Sequence, residues 1–200
     1  TLDSGVYDDI TLTKIDDNAF GQCKKLTLTE LPNGLTNIGS SAFEDCENLI
    51  SIEIPDSVTS IGWSAFGRCY NLTSIVLPNS ITSIGYGAFG NCMRLTSVNI
   101  PNTVTLIDGV AFYGCSSLTS INIPDGVTSI GAHAFYGCSN LRNIYCNPKQ
   151  IPTFDYWDTT WEDEIADGEG EEVYPFSNFD ANLYVPVSAL EDYKSHFVYG

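Results

Sequence analysis

Basic residues are scarce in this chain. Its 200 residues hold 8 lysines and arginines against 25 aspartates and glutamates, a formal net charge of −17. Nucleic acids and anionic membranes attract proteins through Lys and Arg, so this balance excludes both as partners. The chain also lacks a run of about eighteen apolar residues, so no membrane span is expected. Its start, TLDSGVYDDI, carries no signal segment. The chain is therefore either cytosolic or has lost such a segment.

Combinations of residues that carry catalysis or bind metals are missing too. We find two histidines, His133 and His196, with no Ser–His–Asp arrangement and no phosphate-binding loop. Successive cysteines are at least eight positions apart, whereas metal sites favour C-x-x-C pairs. The acidic string DGEGEE lacks the alternating spacing of an EF-hand loop. We expect no enzyme, no cofactor and no metal site, and we expect His133 to be a solvated residue.

What the chain does contain is a 23-residue repeat. Six leucines mark the step: Leu26, Leu49, Leu72, Leu95, Leu118 and Leu141. Six phenylalanines, each after an alanine, keep the same step: Phe20, Phe43, Phe66, Phe89, Phe112 and Phe135. A fixed period of about 20–50 residues is typical of a solenoid, in which each coil stacks on its neighbours.

One unit, LTSIVLPNSITSIGYGAFGNC (72–92), shows the parts of a coil. The alternating start predicts a short strand that ends at Pro78, because proline cannot continue a ladder. Ile81 and Ile84 predict a second short extended segment. The apolar spacing in AFGNC predicts one helical turn. Equivalent strands of neighbouring coils should pair in parallel, about 4.8 Å apart.

All seven cysteines occupy predicted inward positions: Cys23, Cys46, Cys69, Cys92, Cys115 and Cys138 in one phase, and Cys146 at a strand position. We interpret them as small apolar fillers with free, buried thiols. Disulfides between neighbouring coils are compatible with the expected Cα spacing. However, side chains in register point the same way, and pairing would break the equivalence of the coils.

The pattern LTSIxIPxxVTSIGxxAFxxC, which covers residues 12–146, resembles the BspA-like leucine-rich repeats, a bacterial class with 23-residue units. The tail NLYVPVSALEDYKSHF (182–197) is similar to the strand and helix that often close such proteins. The resemblance implies a curved right-handed superhelix, export to the cell surface or beyond, and a role in adhesion or protein binding. The departures are Thr29, which is polar where Ile52 and Ile75 are apolar, and Asp3 and Asp8, which stand where leucine and isoleucine would be and leave the first coil incomplete.

The expected fold is therefore an α/β repeat solenoid with a parallel sheet, second short strands, short helical turns and a C-terminal strand–helix cap. It forms a single domain over 1–200. Its parts are a partial coil at 1–25, repeats at 26–146, an irregular acidic insertion at 147–182 and a cap at 183–200. The step from Ile144 to Leu183 is 39, which equals one period of 23 plus an insertion of 16.

We expect aromatic residues of the insertion, Phe154 and Tyr156 among them, to cover the open end of the core, and the acidic stretch 162–172 to be mobile. A capping box from Ser188 to Glu191 predicts a helix over 188–197. Its inward face should consist of Leu190, Tyr193 and Phe197.

Function should use outward residues, since inward ones build the core. Candidate binding residues are Asn99, Asn122, Arg142, Tyr145 and Tyr184 on the coils, and Trp157 and Trp161 in the insertion. Tyrosine and arginine are favoured in binding hot spots. The leading hypothesis is a secreted or cell-surface module that adheres to or binds a protein, such as a host or surface protein. The alternatives are a carbohydrate-binding module that uses the aromatic residues, and a purely structural segment of a larger adhesin.

Overall fold

A computed structural model describes residues 12–148, 152–155, 176 and 181–191. Thirteen strands follow in chain order: β1 (Lys14–Ile15), β2 (Asn37–Ile38), β3 (Ser51–Glu53), β4 (Ser60–Ile61), β5 (Ser74–Val76), β6 (Ser83–Ile84), β7 (Ser97–Asn99), β8 (Leu106–Ile107), β9 (Ser120–Ile123), β10 (Ser129–Gly131), β11 (Asn143–Cys146), β12 (Thr153–Asp155) and β13 (Asn182–Tyr184). They are short because each coil turns after two to four paired residues.

The strands form two faces of a solenoid, and paired strands within each face run parallel. The long-strand face consists of the sheets β3-β5-β7 and β9-β11-β13, and the short-strand face consists of β1-β2-β4 and β6-β8-β10-β12. Pairing follows the period, since Ile52 lies opposite Ile75 and Ile38 opposite Ile61. The predicted parallel stacking of successive coils is confirmed.

The third side of each coil, called the turn side, runs from the end of the short strand to the cysteine. The helical turn predicted there is not confirmed. Gly87 and Asn91 both have left-handed backbone conformations, with φ of 60° and 59°. Between them the Phe89 N–H donates to the Ala111 carbonyl of the next coil at 2.9 Å, and the Gly90 N–H donates back to Gly87 at 2.8 Å. Alternate amides therefore tie the coils together, whereas the amides of a helical turn all point along the axis of the turn.

The core is a stack of equivalent apolar side chains. The phenylalanine rings stack along the axis, with centroids 5.2–5.6 Å apart from Phe20 to Phe135. The cysteines do more than fill space. Each thiol from Cys46 to Cys138 donates to the carbonyl of the phenylalanine in the preceding coil, as Cys92 does to Phe66 at 3.2 Å.

The structure has all seven cysteines as free thiols and buries six of them, but Cys23 is exposed. The expectation that all seven are buried is therefore wrong at this position. Every later thiol of the column is covered by the coil before it, toward which its sulfur points. Cys23 lies in the first described coil, and the described residues provide no such cover.

The last coil carries the expected insertion. Ile144 pairs with Leu183, which confirms the predicted offset between their strands. Ile130 pairs with Phe154, one residue beyond the regular period, so the extra residues lie mainly after β12. Among the described residues, Phe176 extends the stack of rings, with its centroid 4.9 Å from that of Phe135. The stretch 162–172 lies outside the described residues, as does Tyr156.

The C-terminal helix is only partly described. A 3₁₀ helix, η1 (Val187–Ala189), starts after Pro186, which provides no side-chain cap. Ser188 lies within this helix, whereas the predicted capping box places it at the start of a helix. Ala189 is buried, whereas Leu190 is 38% exposed. The expected inward position of Leu190 is therefore not confirmed, and Ala189 is the buried residue of this segment. Residues 192–197, including Tyr193 and Phe197, lie outside the described residues.

Candidate interaction surface

The outward side of the long-strand face is built by the alternation of the strands. Side chains between the inward residues point to water, so one row runs through Glu53, Val76, Asn99 and Asn122. Val76 is 66% exposed. A shallow depression of about 210 Å³ lies at the N-terminal part of this face, between Glu30, Glu53 and Val76.

The C-terminal part of the same face brings two predicted residues together. Tyr145 of β11 and Tyr184 of β13 stack with ring centroids 4.7 Å apart, although the insertion separates them in sequence. They remain 41% and 47% exposed. Asn122 of β9 lies opposite Tyr145, so the row continues into the adjacent strand.

Asparagine side chains surround the two rings. Asn143 accepts hydrogen bonds through Oδ1 from the Asn182 amide at 3.3 Å and from the Tyr184 hydroxyl at 3.5 Å. The Asn147 amide donates to Oδ1 of Asn122 at 2.8 Å. We call Tyr145 and Tyr184 with these asparagines the tyrosine patch. It carries no charged side chain, in a chain with a net charge of −17.

The other predicted residues lie elsewhere. Arg142 precedes β11, and its Nη1 donates to the carbonyls of Ser139 and Leu141, both at 3.1 Å. Its guanidinium is therefore drawn toward the edge where the turn side meets the long strand. Asn99 ends β7 in the neighbouring sheet of the long-strand face. Trp157 and Trp161 lie outside the described residues.

That edge contains a second concave feature, which we call the edge groove. A depression of about 370 Å³ is lined by Thr27, Asn48, Ile50, Asn71, Thr73 and Arg94. Ile50 is 60% exposed and occupies the position that threonine holds in the neighbouring coils, at Thr27 and Thr73.

Sequence reasoning missed several surface aromatic residues. Trp63 is 68% exposed on the turn side, and its ring lies over Gly85 of the next coil. Tyr113 and Tyr136 stack at 5.7 Å in adjacent coils. These positions vary from coil to coil, so a search for repeated residues passes over them.

His133 departs from its expected solvated state. It is half-buried, has a left-handed φ of 55°, and its ring meets that of Tyr136 edge-on at 5.0 Å. Burial lowers the pKa of His133, because desolvation disfavours the charged imidazolium.

Among the described residues, no group of three or more His, Cys, Asp or Glu side chains could hold a metal ion. In the same part of the chain, no helix has the length and apolar content that a bilayer crossing requires.

The chain matches the BspA type leucine rich repeat region in six copies, over residues 6–118 and 106–157. A leucine rich repeat protein of T. pallidum is 36% identical, with a TM-score of 0.66 over 68% of this chain and 64% of that one. A leucine rich cell surface protein of Faecalibacterium prausnitzii is 33% identical, with a TM-score of 0.55 over 70% of this chain and 44% of that one.

A leucine-rich repeat protein of Bacteroides ovatus is 29% identical, with a TM-score of 0.60 over 71% of this chain and 43% of that one. No curated protein sequence matches the chain. The chain spans between 43% and 64% of the length of these three solved relatives.

Proposed function

Because the chain belongs to the BspA-type leucine-rich repeat family, we propose that it is a non-enzymatic protein-interaction module displayed at a bacterial cell surface. Its binding surface in this proposal is the C-terminal part of the long-strand face, centred on the tyrosine patch. Surface display is supported by the family and by the Faecalibacterium prausnitzii relative, which is itself described as a cell surface protein.

The observation that carries the proposal is the stacked, half-exposed pair Tyr145 and Tyr184 in a ring of asparagines. Tyrosine presents a large contact area with few rotatable bonds, and asparagine provides adaptable hydrogen bonding. Stacking holds both rings in place before a partner arrives, so less conformational entropy is lost on binding. The rigid parallel strands beneath them support the same conclusion.

A protein array probed with the purified chain tests this proposal, with a glycan array as a parallel arm. Exposed aromatic rings also suit sugars, so the two arms separate a protein partner from a carbohydrate partner. The informative variant is Tyr145→Ser with Tyr184→Ser. Serine is present on the outward face of β3, β5 and β7, so this change should leave the coils folded.

The matched control is Tyr113→Ser with Tyr136→Ser, which removes a second stacked tyrosine pair on the turn side. We expect protein-array signals that disappear with the first variant and persist with the control. Signals confined to the glycan arm would replace the protein partner with a carbohydrate. Protein signals that are indifferent to the first variant would remove the tyrosine patch from the proposal.

A further inference from the structure

The cations of this acidic chain are distributed unevenly. Three described bases are paired with carboxylates: Lys14 with Asp16, Lys24 with Glu47, and Arg68 with Glu44 and Asp45. Among the described residues, Lys25, Arg94 and Arg142 make no ion pair. Arg94 lines the edge groove. The phase of the repeat places Lys25 and Arg142 on the same edge, because Lys25 is equivalent to Asn48 and Arg142 to Ile50. Within the described part of the chain, the unpaired positive charge is thus concentrated on one edge.

The period sets the spacing of these charges. Lys25 and Arg94 occupy equivalent positions three coils apart, with Asn48 and Asn71 between them. At about 4.8 Å per coil, the two cations are separated by about 14 Å along the axis. Ile50 lies between them in the second coil, with its side chain open to solvent.

The floor of the groove is already hydrogen-bonded. The Asn71 amide donates to the Glu47 carbonyl at 2.7 Å, and the Thr73 hydroxyl donates to the Ile50 carbonyl at 3.2 Å. These two donors are engaged within the fold. The charged and exposed apolar groups that remain for recognition are Arg94, Lys25 and Ile50. An occupant must therefore supply two anionic groups that match the separation of the cations, and an apolar group between them.

We propose that the edge groove binds an extended acidic peptide of a partner protein, with the pattern acidic–x–aliphatic–x–acidic. In an extended chain, residues i, i+2 and i+4 point to one side, and the outer two are about 13 Å apart. The two carboxylates then meet Lys25 and Arg94, while the aliphatic side chain covers Ile50.

A partner protein fits this site better than a second copy of the chain. The chain's own sequence has the pattern at Asp163, Ile165 and Asp167. However, two copies would each bring a net charge of −17, so a contact between them would gather like charges within the screening length. A partner needs negative charge only in the docked segment, where screening over about 8 Å lets the local cations dominate.

The test uses the full chain and a fluorescently labelled heptapeptide, Ser-Glu-Thr-Leu-Thr-Glu-Ser, with binding followed by fluorescence anisotropy in low salt. We expect saturable binding that weakens as salt rises, and at least tenfold weaker binding when both glutamates are glutamine. An exposed ion pair changes an affinity by up to about fivefold, and charge reversal adds repulsion, so Arg94→Glu should weaken binding about tenfold. The control Lys14→Glu makes the same change in net charge on the short-strand face and should change binding less than twofold.

A second variant tests the apolar contact. Ile50→Thr installs the residue that Thr27 and Thr73 provide in adjacent coils, so the fold should be preserved. Wild-type protein should prefer the leucine peptide over its alanine version about fivefold, and Ile50→Thr should abolish that preference. The inference rests on the proposed role as an interaction module but uses a different surface, so Tyr145→Ser with Tyr184→Ser should bind the peptide normally.

Three results would overturn the inference. One is no saturable binding of the peptide, and another is equal weakening by Arg94→Glu and Lys14→Glu. The third is sedimentation equilibrium showing self-association of the wild-type chain that Arg94→Glu and Asp167→Asn each abolish, since the groove would then belong to a second copy. A monomeric chain that binds the peptide through Arg94 supports a partner protein.

Discussion

Alkaline pH should unfold this protein, because its core contains a column of thiols that cannot ionise in place. Burial raises the pKa of Cys46 to about 11 and that of Cys92 and Cys138 to about 12, from an ordinary 9.0. Burial also raises the pKa of Cys69 and Cys115. Above pH 9 the unfolded chain loses these protons while the folded chain keeps them. The free energy of unfolding therefore falls as pH rises from about 9 toward the folded-state values.

The magnitude follows from the number of thiols. One thiol that ionises near pH 9 only in the unfolded state costs about 1.4 kcal/mol of stability at pH 10. Five such thiols cost about 7 kcal/mol, against a typical total stability of about 5–15 kcal/mol. We expect the protein to be strongly destabilised at pH 10 and to unfold by about pH 11.

Urea unfolding at a series of pH values from about 7 to 10, a range that spans the ordinary pKa of a thiol, measures this effect. The variant Cys92→Ala with Cys115→Ala is the internal comparison. It will start less stable, but two of five thiols are gone, so its loss of stability per pH unit should be about three-fifths of the wild-type loss. A free energy of unfolding that stays constant from pH 8 to 10 would refute the reasoning.

Three further predictions concern single positions. Phe89→Ala should lower the free energy of unfolding in urea by about 3–5 kcal/mol, since the ring is buried between two others. Phe20 is partly exposed, so Phe20→Ala should lower it clearly less. Equal losses would contradict the stacking order. A chromogenic thiol reagent without reductant should count one reactive group in the native protein, Cys23, and seven after denaturation, and a native count of zero or of several would contradict the observed burial. Val110 has a left-handed φ of 49°, which strains a β-branched residue. Val110→Asn introduces the residue that the first coil has at the equivalent Asn18 and should raise the free energy of unfolding by about 1 kcal/mol. A lower melting temperature would show that the valine contacts outweigh the strain.

The long-strand and short-strand faces could be predicted from the sequence because their side chains repeat at a fixed phase. Once the apolar positions of Leu72, Ile84 and Phe89 recur in every coil, stacking is the arrangement that buries all of them, and parallel pairing follows. The offset between Ile144 and Leu183 could be predicted for the same reason. Because Tyr145 and Tyr184 each follow one of these residues, the offset also places the two tyrosines on adjacent strands. The sequence by itself therefore determined the solenoid, its register and the strands that carry the tyrosine patch.

The turn side, the cover of the stack and the edge groove were decided by tertiary structure. AFGNC has a helical spacing of apolar residues, but amides that can pair with the next coil do so, and left-handed residues at Gly87 and Asn91 make this possible. Phe176 lacks the repeat signature, yet it stacks on Phe135 because the end of the ring column must be covered. Whether a cation is paired depends on which side chains the coils place beside it. The phase of a residue in the repeat sets the direction of its side chain, but only the neighbouring coils decide what that side chain contacts.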